Sequence, residues 1–441
     1  MFQRLMKAYY NNQFEEALDS IMGQFTDREE AKEVLAILCG VDFVQEKEES
    51  EYTQELLHAI TKQKVRDKIV QKIGPCYQDC FTENGRSRCQ TVCPLEAIKR
   101  VGDGQDKWID PSICMECGRC IEVCEKGLYI DTKEFFPMAT LLKGEHKVVA
   151  MVAPAIAGQF GSEVTLDQLR EAFIKVGFSD MVEVAMAADV LSIKEALEFD
   201  AHVQSQDDYM LTSCCCPMWI GMLRKKYNEL MPDVSPSVSP MIALAKMLKK
   251  YNPEVKVVFV GPCVAKKAEA KEPDLIGEVD FVLTFSEIKM VFDTLEVDPI
   301  KLQGVPTMDY AATGGVLYAR AGGVSQAVYS LVEHLSPEKK KIFTSLHVDG
   351  VPACKAMLED LLQGKVHATF IEGMGCVGGC VGGPKRLVSM EEGRWKVNQM
   401  AEESAIKVPI HSDVLKNLLG SIGYEKFGDL LKEHSMFERK F

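Results

Sequence analysis

The sequence predicts an α/β protein of several domains, and three observations carry that prediction. Beyond about residue 145, apolar β-branched runs alternate with longer segments of helical period, the signature of parallel sheets joined by crossover helices. Residues 1–70 instead repeat apolar side chains every three or four positions, so a helical segment stands before the α/β body. Between the two, residues 76–124 concentrate half of the chain's 16 cysteines and mark off a unit of their own. A chain of 441 residues can bury several cores, and two to four domains is the expectation. The divisions predicted are 1–70, 71–140 and 141–441.

Composition narrows the function classes. A net charge of -14 excludes a general nucleic-acid binder, which needs a basic surface to displace counterions. No run reaches the length of a membrane span, and the amphipathic N-terminus lacks the apolar core of a signal peptide, so no membrane partner and a cytoplasmic location are expected. The cysteines cluster at metal-ligand spacings in a long chain, which argues for thiol ligands in a reducing compartment rather than disulfides.

Taken in order, helical periodicity runs through Leu5, Ala8, Tyr9, Phe14, Ala17, Leu18, Ile21 and Met22. It returns in Ala31, Val34, Leu35 and Leu38, then in Leu56, Leu57 and Ile60. Cys39 ends the second run as a core residue, and nothing in this region carries chemistry.

The cysteine block follows. Cys114, Cys117, Cys120 and Cys124 have the spacing C-x2-C-x2-C-x3-C, the bacterial ferredoxin run, in which one loop wraps three corners of a cubane and the fourth thiolate reaches another cluster. Cys76, Cys80, Cys89 and Cys93 are stretched to C-x3-C-x8-C-x3-C by an insertion containing Gly85, and Pro94 follows Cys93. The block resembles a two-cluster ferredoxin domain. That resemblance implies one 4Fe–4S cluster on Cys76, Cys80, Cys89 and Cys124, and another on Cys114, Cys117, Cys120 and Cys93. Two structural zinc sites are the alternative, since they also use four thiolates.

In the α/β region, strands are expected at His146–Val152, Met181–Ala185, Tyr209–Leu211, Val255–Val260, Phe281–Leu283 and Ala368–Ile371. Three of them run into cysteine motifs. Thr212-Ser213-Cys214-Cys215-Cys216-Pro217 follows the third, and three consecutive thiols cannot all point into one core. Gly261-Pro262-Cys263-Val264-Ala265-Lys266 follows the fourth, and Glu372-Gly373-Met374-Gly375-Cys376-Val377-Gly378-Gly379-Cys380 follows the last. Ligands of α/β folds gather beyond the carboxyl ends of strands, so three such turns can meet at one site. Glycines in the last motif would let the backbone approach a bulky inorganic group.

Three motifs in this order behind a ferredoxin block resemble the FeFe-hydrogenase family, whose catalytic domain is marked by approximately TSCCPxW, MPCxxKxxE and ExMxCxxGCxxGG; the resemblance covers about residues 76–440. It implies a two-lobed α/β catalytic domain and an H-cluster, a 4Fe–4S cubane joined to a two-iron subsite with carbon monoxide, cyanide and a bridging dithiolate. By position, Cys216, Cys263, Cys376 and Cys380 would hold the cubane, with Cys380 as the bridge. Cys215 corresponds to the proton relay, Lys266 to a cyanide hydrogen-bond donor and Met374 to a residue packed on the subsite. Ala153 and Pro154 resemble the loop lining its other side. The family's proton path implies Glu195, Glu198 and Ser235, with Ser239 as runner-up; without the family, the two glutamates read as a solvated helix face.

Departures fall beside the subsite. Cys214 stands where serine is usual and adds a donor or weak ligand, Gly261 replaces methionine and removes bulk, and Ala155 replaces a serine donor. These resemble divergent, sensory branches. The leading expectation is reversible dihydrogen chemistry, with protons, dihydrogen and ferredoxin or another redox protein as partners. The alternatives are a dihydrogen or redox sensor with a signalling partner, and a non-catalytic iron–sulfur assembly relative lacking the two-iron subsite. Cys354 reads as a packed thiol, Gly314-Gly315 as a family loop near the cluster, and the eight histidines form no metal-binding pair.

Overall fold

A computed structural model describes residues 1–42, 52–76, 80–82, 85–102, 106–307 and 311–441. Near the N-terminus, strands β1 (Val70–Lys72), β2 (Ile98–Arg100), β3 (Lys107–Ile109) and β4 (Tyr129–Asp131) are short and antiparallel, pairing as β1–β4 and β2–β3. The rest are parallel: β5 (Val148–Val152), β6 (Asp180–Glu183), β7 (Met210–Leu211), β8 (Lys256–Gly261), β9 (Phe281–Thr284), β10 (Ser345–Asp349) and β11 (Phe370–Met374). They form one sheet in the order β6-β5-β8-β9 and a second in the order β10-β11-β7. Parallel strands covered on both faces read as continuous apolar runs, which is why β5, β8 and β9 were visible in the sequence.

Strand ends shift by a residue or more from expectation, and two ends and one strand matter for the site. β6 stops at Glu183 because Ala185 already opens the long helix Ala185–His202. β11 continues through Met374, so the first three residues of the last cysteine motif are strand rather than turn. β10 has no counterpart in the sequence reading: as an edge strand it keeps Ser345, His347 and Asp349 at least partly exposed, and its polar pattern hides it.

The first N-terminal run is two helices, Phe2–Tyr10 and Phe14–Met22, broken where Asn12 takes a left-handed conformation at φ 57°. Arg28–Cys39 is capped by the Asp27 carboxylate, which accepts from Glu29 N and Glu30 N, and ends on Gly40 at φ 73°. Cys39 is fully buried. These helices share the core of the four-stranded sheet: Phe2, Tyr9 and Phe14 pack on Phe135 and Phe136 of the helix Phe135–Leu142, with the Phe14 and Phe136 centroids 4.8 Å apart. Among the described residues, no helix is long and apolar enough to cross a membrane.

A buried charge network ties the antiparallel unit to the parallel sheets. The Asp131 carboxylate on β4 accepts from Lys133 at 2.8 Å, Lys267 at 3.3 Å and Lys385 at 3.1 Å, and Lys267 also pairs with Glu287 at 2.8 Å. Lys267 stands four residues after Cys263 and Lys385 five after Cys380. The network therefore fixes two cysteine-bearing turns against β4. Removing one partner of a buried pair leaves an uncompensated charge, so its members are strongly interdependent.

Phe136→Ala deletes a fully buried ring from the aromatic cluster. It is expected to cost about 3–5 kcal/mol, measured as a lower denaturation midpoint, with residues 1–61 becoming protease-sensitive ahead of the α/β body.

Candidate metal centre

The three cysteine motifs leave the carboxyl ends of β7, β8 and β11. After β7, Ser213 turns the chain sharply at φ 71°, and Cys216 caps the helix Pro217–Lys226 with Pro217 in its first turn. After β8, Pro262 and Cys263 lead into the short helix Ala265–Glu269. After β11, Cys376 and Cys380 flank a glycine pair, and Cys380 opens a 3-10 turn.

Cys216, Cys263, Cys376 and Cys380 meet. Every pair among them interacts electrostatically, each disfavouring the ionisation of the others. Each keeps some accessible surface, but all lie deep in the protein, and burial pushes Cys263 up to about 12, Cys380 up to about 11 and Cys376 well above the ordinary thiol value. Cys263, Cys376 and Cys380 are thus held towards the neutral thiol. Gly375 N nonetheless donates to Cys216 Sγ at 3.3 Å, a bond that a thiolate accepts far better than a thiol. Four crowded sulfurs with an amide donor aimed at one of them fit a cationic iron–sulfur group, which deprotonates its thiols and removes their repulsion.

Two further sulfur groups occupy the antiparallel unit. Cys76, Cys80, Cys89 and Cys124 line one cavity of about 410 Å³. Cys93, Cys114, Cys117 and Cys120 line another. Backbone amides point at the sulfurs here too: Ala97 N donates to Cys93 at 3.2 Å and Glu116 N to Cys114 at 3.4 Å. Tyr129 donates its hydroxyl to Cys89 at 3.6 Å. Within the stretched spacing before Cys89, Thr82 N donates to Arg86 O at 2.7 Å. The second group abuts the three-motif site: Gly118 packs on Val264, next to Cys263, and Cys117 shares an apolar cluster with Cys376.

Around the central thiols, Cys215 is 8% exposed, and burial followed by the neighbouring cysteines holds its thiol well above the ordinary value. Burial favours the neutral amine of Lys266, but the Glu269 carboxylate, 2.6 Å from Nζ, outweighs it and holds the pKa above the usual lysine value. Met374 is buried at the end of β11, and Cys354 is a packed thiol that donates to Met374 O at 3.4 Å. Ala153 and Pro154 are buried at the end of β5, where Ala153 N donates to Val260 O at 2.9 Å.

One reading of open space is corrected. A Cβ at Gly261 would lie 2.6 Å from the Phe259 ring and 3.4 Å from the Ala153 Cβ, so the bulk removed at Gly261 is replaced by Phe259. Glycines of the last motif also allow close backbone packing. A Cβ at Gly379 would meet Ala321 N at 2.5 Å, and one at Gly382 would meet Val377 O at 1.8 Å. Gly315 likewise packs on the helix Ala185–His202, donating N–H to Asp189 at 2.9 Å.

Glu195 and Glu198 do not form a solvated face: they are 1% and 3% exposed. Thr212 Oγ1 donates to Glu195 at 2.6 Å, and Cys214 Sγ reaches its other oxygen at 3.7 Å while contacting Val238 O at 3.3 Å. Ser235 Oγ donates to Glu198 at 2.7 Å, and Lys194 pairs with the same carboxylate. Ser239 is set apart from them as a helix cap, accepting from Ile242 N. Glu198 and Ser235 line a surface cavity of about 850 Å³. Burial raises Glu195 to about 8 despite its hydrogen bonds from Thr212 and Cys214. Lys194 and Thr212 received no role from the sequence. The i,i+4 spacing of Lys194 and Glu198 was the available signal for the first, and a place inside the motif was the signal for the second.

The family model described as iron only hydrogenase large subunit, C-terminal domain, matches residues 146–384, more than half of the chain. The chain is 25% identical over 363 residues to the NADP-reducing hydrogenase subunit HndD of Solidesulfovibrio fructosivorans, covering 67% of this chain and 62% of that one. It is 28% identical over 291 residues to the periplasmic Fe hydrogenase large subunit of Nitratidesulfovibrio vulgaris, covering 55% and 69%. It is also 22% identical over 352 residues to cytosolic iron-sulfur assembly component 3 of Rattus norvegicus, covering 65% and 74%. The chain thus spans less than two thirds of the length of the first of these relatives. A solved structure of a variant of the FeFe-hydrogenase HydA1 from Chlamydomonas reinhardtii superposes with a TM-score of 0.56 at 21% identity, covering 67% of this chain and 94% of that one, a likeness of fold.

Glu195 stays protonated in the folded protein up to about pH 8, whereas its ordinary value is 4.5. A raised carboxyl pKa contributes stability that is fully present below the unfolded value and lost as pH rises through the folded one. Glu195→Gln is expected to flatten the fall in denaturation midpoint across that window, read by thermal unfolding at a series of pH values.

Proposed function

The chain belongs to the family defined by the C-terminal domain of the iron-only hydrogenase large chain, and from that premise we propose that it interconverts protons and electrons with dihydrogen at a centre held by Cys216, Cys263, Cys376 and Cys380. The observation that carries this is the meeting of those four thiols with Cys215 and Lys266 beside them. When bound, a 4Fe–4S cubane joined to a two-iron subsite with carbon monoxide, cyanide and a bridging dithiolate supplies the polarisation and splitting of dihydrogen. Cys380 would be the bridging thiolate, Met374 with Ala153 and Pro154 would wall the site, and the Lys266 ammonium would donate to an anionic ligand.

The chain's own part is proton handling and electron access. Cys215 would exchange a proton at Sγ, buried where bulk water cannot compete. Glu195, neutral near physiological pH and hydrogen-bonded to Cys214, is poised to accept and release a proton within a narrow pH range. Glu198 and Ser235 extend the route to the cavity at the surface. The thiol groups of Cys93, Cys114, Cys117, Cys120 and of Cys76, Cys80, Cys89, Cys124 would hold two 4Fe–4S clusters that connect the site to ferredoxin or another redox protein. Residues 71–140 would then be the electron-entry domain, 141–441 the catalytic domain and 1–70 a helical module packed on both.

A non-catalytic assembly role, suggested by the relative from Rattus norvegicus, needs the thiols but gives Cys215, Lys266 and the buried Glu195–Glu198 pair no task. A sensing role would use the same site at low turnover. The changed relay, with a thiol at Cys214 bonded to Glu195, is the feature that favours slow exchange.

Infrared spectra of the matured protein are expected to carry carbon monoxide and cyanide bands that respond to dihydrogen; their absence from iron-loaded protein excludes this function. Cys215→Ala is expected to lower dihydrogen turnover by at least about 10²-fold with iron content and band pattern retained. Unchanged turnover would remove Cys215 from the proton route.

A further inference from the structure

Arg119, between Cys117 and Cys120, begins the short helix Arg119–Val123, but its side chain leaves its own loop for the last cysteine motif. Nη2 donates to Gly375 O at 3.3 Å, and Gly375 N donates in turn to Cys216 Sγ at 3.3 Å. One residue is thus gripped by a guanidinium on one side and a thiol on the other. The Arg119 Nε–H is buried and has no acceptor among the described residues. An orphan donor of this kind is costly unless something absent from the polypeptide accepts it. Arg119 also lines the cavity walled by Cys93, Cys114, Cys117 and Cys120. Among the described residues no carboxylate pairs with it, and its charge reaches both Cys117 and Cys376.

We propose that Arg119 is a positioning residue for electron transfer: its Nε–H bonds a sulfur of the cluster held by Cys93, Cys114, Cys117 and Cys120, and its charge, fixed by Gly375 O, raises the reduction potentials of that cluster and of the cubane at Cys216, Cys263, Cys376 and Cys380 together. The inference rests on the iron–sulfur reading of both thiol groups. Reduction adds one electron, and one negative charge, to either cluster. A fixed cation away from bulk water stabilises that added charge. Because the same cation faces both clusters, both become easier to reduce while the driving force between them is little changed. Lys225 provides a contrast: its ammonium bonds Cys114 O at 2.7 Å in the same loop but is solvent-exposed, so screening weakens its field.

The test is a redox titration of the iron-loaded protein followed by electron paramagnetic resonance, with iron counted per chain, for Arg119→Gln, Arg119→Lys and Lys225→Gln. In Arg119→Gln the inner cluster and the cubane are expected to shift together to more negative potentials, while the cluster of Cys76, Cys80, Cys89 and Cys124 stays in place. Arg119→Lys, which keeps a charge but loses the Nε–H, should shift both by less, and Lys225→Gln should move neither appreciably. Unchanged potentials in fully loaded Arg119→Gln overturn the proposal, as does a shift confined to one cluster or spread equally over all three. If Arg119→Gln does not retain iron, Arg119→Lys decides, and unchanged potentials there overturn the proposal. Absence of cluster signals from the unsubstituted protein would instead defeat the iron–sulfur reading.

Discussion

Crowding four cysteine sulfurs from three turns into one deep volume is the constraint on which the rest of the structure depends. Ionised and unmetallated, Cys216, Cys263, Cys376 and Cys380 would repel one another; neutral, they leave the amide of Gly375 aimed at a poor acceptor. The surrounding protein is arranged to hold that geometry before any metal arrives. Two parallel sheets deliver the turns from their carboxyl ends. Asp131 pins the second and third turns through Lys267 and Lys385. Gly379 and Gly382 let the last turn press against its neighbours at distances no side chain would permit.

Charge around this centre is distributed with equal care for proton and electron. On one side Lys266 keeps its proton because Glu269 answers it. On another, the helix Ala185–His202 carries two buried carboxyls in different surroundings: Glu198 is paired with Lys194, whereas Glu195 accepts from neutral donors and burial drives it towards protonation. Toward the antiparallel unit, Arg119 spans the gap between two sulfur groups.

What the sequence disclosed followed the range of each interaction. Cysteine spacings are local, so the eight thiols of residues 76–124 and the three catalytic-type turns were readable directly, and so were the apolar runs of β5, β8 and β9. β10 was not, because an edge strand with Ser345, His347 and Asp349 has no apolar signature. The helix break at Asn12 depended on one left-handed residue inside an otherwise regular period. Burial of Glu195 and Glu198 is a tertiary fact; i,i+3 carboxyls on a helix look the same whether solvated or enclosed. Phe259 filling the space beside Gly261, Lys385 reaching Asp131 and Arg119 reaching Gly375 join residues that only the folded chain brings together.

We propose that these thiols hold three distinct iron–sulfur sites, the one at the three turns also carrying a two-iron subsite. Counting iron per chain in the matured protein tests it most directly. Three cysteine-ligated cubanes with two further irons give about fourteen, from four irons per cubane. About twelve would contradict the two-iron subsite and leave an electron-transfer or assembly protein, and about eight would leave only two cubanes and contradict three sites.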